Sequence, residues 1–86
     1  MSDVADVVVA AVDGRVDVLF VAVGIRAWGT YASQTRTVAI GDEASGHHED
    51  LLNLAAIHTV LNRGTVYALP PAEMPDGSSV AAVLRY

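Results

Sequence analysis

His47, His48 and His58 are the first residues in this sequence able to do chemistry, and Glu49 and Asp50 beside the first two suggest a metal site. Spacing argues against a single one. A helix over 48–63 would separate His48 from His58 by about 15 Å of rise. Zinc ligands must converge to within about 2.0–2.2 Å of the ion. Adjacent residues such as His47 and His48 also leave a helix on different faces. Both are expected to form an exposed helix entry. His58 sits beside Leu54 and Leu61 on the shoulder of an apolar stripe. It is expected to be half-buried and hydrogen-bonded rather than to act as a general base.

Other reactive groups are uncommitted. Ser33, Ser45, Ser78 and Ser79 fall in expected loops, and none sits in a Gly-x-Ser-x-Gly elbow. The chain has no cysteine, so thiol catalysis is excluded. The adjacent carboxylates Asp42-Glu43 and Glu49-Asp50 read as solvated acidic surface, not as acid/base pairs. Glycines 14, 24, 29, 41, 46, 64 and 77 match neither Gly-x-Gly-x-x-Gly nor a P-loop, and each is read as a turn or cap. Trp28 and Tyr31 are expected to pack at a sheet edge, with a binding surface as the alternative. No catalytic, cofactor-binding or metal-binding residue is assigned, no cofactor is expected, and the chain is not expected to be an enzyme.

The elements that would position these residues follow from composition and periodicity. The 86 residues suffice for one domain, burying roughly 60–70% of its unfolded surface. At 52% hydrophobic and 17% charged, the chain is not of the disordered type. Without cysteine, packing must carry the stability. The formal charge is -5. Arg15, Arg26, Arg36, Arg63 and Arg85 are scattered singly, which argues against direct nucleic-acid binding. The apolar runs 7–12 and 18–25 are well short of the ~20 residues that cross a bilayer. The acidic start Met1-Ser2-Asp3 is unlike a signal peptide. A cytoplasmic protein without a membrane partner is expected.

Residues 3–12 carry Val4, Val7, Val8, Ala11 and Val12 at helical spacing. Ser2 is the expected N-cap, and Gly14 the left-handed stop. The competing reading is a valine-rich strand with an Asp13-Gly14 hairpin turn. Residues 16–24 (VDVLFVAVG) are apolar except for Asp17, so both faces must be covered, as in a central α/β strand. WGTYA (28–32) and TRTVAI (35–40) read as a hairpin about a Ser33-Gln34 turn. A polar loop spans 41–46. The helix over 48–63 places Glu49 and Asp50 in its first turn. Its main apolar stripe is Leu51, Leu54, Ile57 and Leu61, with Leu52, Ala56 and Val60 on a second side. Asn62-Arg63-Gly64 is its stop. Strands over 65–69 and 80–86 follow, separated by Pro70-Pro71 and a Pro75-Asp76-Gly77 turn. A strand, helix and strand in sequence imply parallel pairing through a right-handed crossover. The expected class is α/β, a layered α/β/α sandwich on a mixed sheet of about four strands.

Several strings then combine in order: GRVDVLFVAVG, WGTY, DLLNLAAIHTVLNRG, TVYALP and EMPDGSSVAAVLRY. This order, from about Ala10 to Tyr86, resembles the third, C-terminal domain of the archaeo-eukaryotic release factors and Pelota. It is most similar to the bacterial archaeo-eukaryotic release factor family. The resemblance implies the α/β/α fold shared with kink-turn-binding ribosomal proteins. It also implies that residues 1–86 are the C-terminal domain of a longer protein. In such factors a Gly-Gly-Gln loop of the middle domain triggers peptidyl-tRNA hydrolysis. This sequence has no Gly-Gly-Gln, so that activity does not carry over. The implied function is a non-catalytic interaction module of a translation-associated protein. Its partners would be sister domains, a partner protein or the ribosome. Its broad apolar helix surfaces also leave room for a homodimer. The alternatives are an RNA-binding module of kink-turn type and, behind it, a small hydrolase using His58.

Overall fold

A computed structural model of the chain describes residues 1–32, 34–41 and 49–85. Helix α1 spans Val4–Val12. The helical reading of this stretch holds over the hairpin because Asp3 caps it, accepting a 2.9 Å hydrogen bond from the Ala5 N–H. The cap is thus one residue later than the expected Ser2. Gly14, at φ 75°, turns the chain out of the helix.

Strand β1 (Val16–Ala22) is the centre of a three-stranded mixed sheet. On one side it pairs in parallel with β5 (Thr65–Leu69), as the crossover argument requires. On the other it pairs antiparallel with β6 (Val80–Leu84), with a bulge between Val16 and Val18. A second, antiparallel sheet has the order β3-β2-β4. In it β2 (Trp28–Ala32) and β3 (Thr37–Ile40) form the expected hairpin, and β4 is the short pair Glu49–Asp50. The hairpin turn runs on through Arg36, whose φ is 54°, so the second strand begins at Thr37 rather than at residue 35.

Helix α2 spans Leu51–Leu61, not 48–63. Glu49 and Asp50 are not in its first turn. They pair with β2, and the Asp50 side chain caps the helix by accepting from the Leu52 N–H at 3.1 Å. His48 lies outside the described residues. At the far end the left-handed residue is Arg63, with φ 68°, and not Gly64. Gly64 serves close approach instead. A Cβ there would lie 2.6 Å from Thr59 Cγ2 and 2.7 Å from the Val16 carbonyl oxygen. Two single turns of 3-10 helix, Pro71–Glu73 and Pro75–Gly77, lead into β6.

The chain therefore has the mixed α/β class expected of it, with its strands divided between two sheets. The layering departs from an α/β/α stack. Val7, Val8, Ala10 and Ala11 of α1 and Leu51, Leu52 and Ala55 of α2 share one core cluster with Val16, Leu19, Val80 and Ala82. Tyr31 and Val38 of the hairpin pack on the same cluster. Both helices thus serve one face of β5-β1-β6. Neither α1 nor α2 covers the other face. No helix of the described residues is long and apolar enough to cross a membrane.

Candidate functional site

The sequence of α2, LLNLAAIHTVL, is apolar on almost every side, so the fold must choose which side to bury. It buries Leu51, Leu52, Ala55 and Thr59. Three contacts explain that rotation. Ala55 and Thr59 are small enough for close packing, and the Thr59 hydroxyl satisfies itself by donating to the Ala55 carbonyl at 2.8 Å. Gly64 lets the next strand come up against Thr59. The Asn62 amide donates both to the His58 carbonyl (2.9 Å) and to the Ala11 carbonyl (3.2 Å), pinning the end of α2 to the end of α1.

The expected stripe of Leu51, Leu54, Ile57 and Leu61 is corrected accordingly. Leu51 is buried and Leu54 half-buried. Ile57, Val60 and Leu61 are turned out, at 48%, 60% and 70% exposure. With Ala56 and Val66 they line a depression of about 370 Å³ that has no polar side chain in its wall. That volume would hold a small ligand, but nothing in the wall would orient one. Its chemistry is apolar contact.

The uncovered face of β5-β1-β6 is the second apolar surface. Register places Val18 beside Thr65 and Val83, and Phe20 beside Tyr67 and Ala81. Alternation turns these away from Leu19, Val66 and Ala82, which face the core. Phe20 and Tyr67 stack with ring centroids 5.6 Å apart. Tyr67 and Val83 are both 51% exposed.

A smaller hollow of about 180 Å³ lies between Val21, Ile25, Asp50 and Asn53. It falls below the roughly 300 Å³ of ordinary ligand sites. The Asp50 oxygen is already engaged by the Leu52 N–H and, at 3.4 Å, by the Ala27 N–H.

The sequence candidates do not converge on one place. His58 is half-buried as expected. Among the described residues its hydrogen bonding is through its backbone carbonyl, not its ring. His47, Asp42, Glu43, Ser33 and Ser45 lie outside the described residues. Ser78 and Ser79 are half-buried, and the Ser79 carbonyl accepts from the Ala22 N–H at 2.9 Å. Tyr31 packs on the core, and half-buried Trp28 carries the Arg26 guanidinium 5.9 Å from its ring centroid. Arg36 pairs with Asp13, and Arg85 donates to the Val16 carbonyl at 2.9 Å. These arginines are thus tied to different elements. Among the described residues no group of three or more His, Asp or Glu side chains is placed to hold a metal. The apolar surplus of α2 was expected from the sequence, but not that Ile57, Val60 and Leu61 carry it. The signal that would have found this is the small set Ala55, Thr59 and Gly64, which marks the side that packs closely.

Fold and surface together define a small mixed α/β domain whose distinctive surface features are apolar and uncovered. No protein-family model matches the chain, and no curated protein is significantly similar to it.

Proposed function

We propose that this chain is a non-catalytic protein-interaction module, similar to the third domain of release factors and Pelota, in a translation-associated protein. The observation that carries the proposal is the uncovered face of β5-β1-β6. Half-buried Val18, Phe20 and Ala81 and exposed Tyr67 and Val83 give it the apolar character of an inner layer without a helix on top. Such a face favours a covering partner, because contiguous exposed apolar surface is uncommon on proteins that act alone. The ordered strings from GRVDVLFVAVG to AAVLRY support the translation context. A sister domain, a partner protein or a ribosomal surface would supply the missing layer.

The test is sedimentation of the tagged protein in lysate of its own cells. Comigration with ribosomal particles is expected, and a carboxylate introduced by Val83→Asp should abolish it without lowering the melting temperature appreciably. Slow sedimentation of the wild type, away from ribosomal particles, would remove the translation reading. Unaltered comigration of the variant would remove this face from it.

A further inference from the structure

We infer that β5 is a self-pairing edge, through which two copies of the chain join their sheets antiparallel about a two-fold axis. This uses the edge of the sheet, not its uncovered face, and stands independently of the reading above.

The two edges of β5-β1-β6 are finished differently. At the β6 edge the Met1 backbone lies alongside, with the Ala82 N–H donating to the Met1 carbonyl at 2.7 Å. The β5 edge has no described strand beside it. The Leu69 carbonyl accepts from the Val23 N–H and so faces β1. Backbone groups alternate along a strand, so those of Val66 and Ala68 point to the open side. Exposed edges are ordinarily blunted by a charge, a proline or a bulge. Within Thr65–Leu69 there is none of these.

The strand complements itself. Centred on Tyr67, antiparallel pairing sets Val66 of one copy against Ala68 of the other, with their N–H and C=O groups exchanging hydrogen bonds. Tyr67 meets its own symmetry mate on the outer face and extends the Phe20 stack across the axis. On the inner face the depression lined by Ile57, Val60, Leu61 and Val66 borders the same edge. A two-fold axis there brings α2 of each copy beside the other and buries these side chains mutually.

Charge selects the second copy as occupant. The chain carries a formal charge of -5, so two copies repel over most approaches. From Leu51 to Leu69 there is no acidic residue, and Arg63 is the sole formal charge. The border with the open strand and the apolar strip is therefore one across which copies of this chain approach without carboxylate repulsion.

The test is sedimentation equilibrium of the full chain over a wide concentration range. A monomer–dimer equilibrium is expected. Val60→Asp should raise the dissociation constant by about tenfold or more, because each interface would bury two carboxylates. Ala68→Pro, which removes an outward N–H only, should do the same. Val83→Asp should leave it unchanged. Amide exchange gives a second reading that needs no variant to fold: the Val66 and Ala68 amides should slow as concentration rises. A monomer at every concentration would overturn the proposal and leave the edge to a foreign strand. So would a dimer indifferent to both edge substitutions.

Discussion

α1 and α2 are both built almost wholly from apolar residues, yet α1 keeps Val7 and Val8 fully inside while α2 turns Ile57, Val60 and Leu61 outward. The difference lies in their neighbours. α1 touches α2, both outer strands of its surroundings (β3 and β6) and β1. α2 lies over β1 and β5, and beyond β5 the sheet stops. α1 is enclosed because strands of both sheets and α2 surround it; α2 overhangs the end of its sheet and keeps a side with nothing to meet. Apolar composition states how much surface could be buried. The surrounding elements decide how much is.

The largest test of that contrast lies within α2 itself. Leu51→Ala removes a fully buried side chain next to Gly29 and α1, and should cost roughly 2–5 kcal/mol. Leu61→Ala, ten residues on at 70% exposure, should stay within about 0.5 kcal/mol at concentrations where the chain is monomeric. Urea denaturation of the two variants measures both. Equal losses would mean that α2 is rotated from the orientation described here.

Asn62→Ala should follow. It removes the amide that holds the Ala11 carbonyl, and with it the one side-chain hydrogen bond described between the two helix ends. The expected loss is about 1 kcal/mol, read as a lowered urea midpoint with an unchanged slope. An unchanged midpoint would mean that the small residues Ala55, Thr59 and Gly64 alone set the rotation of α2.

Much of the fold was legible because local signals and tertiary demands agreed. The helix from Val4 beat the strand reading because Asp3 caps it and Gly14 releases it. The parallel pairing of β1 with β5 followed from a strand, a helix and a strand in order. What was not legible depended on contacts far apart in sequence. Glu49 and Asp50 look like first-turn helix residues until β2 arrives to pair with them. The stop at Arg63-Gly64 reads as a glycine cap. In fact Arg63 takes the left-handed turn, and glycine is needed because Thr59 and the Val16 carbonyl crowd its Cα. The layering failed for a related reason. β1 is apolar on both sides, which predicts two covering layers, but the pattern does not say whether the second belongs to this chain or to a partner.

The smallest effect concerns the charged end of α1, the counterpart of the apolar end of α2. Asp13 sits at the α1 C-terminus, where the helix dipole disfavours a carboxylate. The Arg36 guanidinium, brought there by the hairpin turn, offsets that. The pair is solvent-facing, with the arginine side chain 57% exposed, so its net worth is under about 1 kcal/mol. The two halves should respond unequally. Asp13→Asn removes the attraction and the dipole penalty together, and the melting temperature should hardly move. Arg36→Gln leaves the carboxylate uncompensated and should lower it slightly. That deficit should shrink as salt is added, since screening weakens the dipole penalty and the ion pair alike. A deficit that survives high salt would point away from charge. It would trace instead to the left-handed backbone of Arg36, at φ 54°, and to how the new side chain tolerates it.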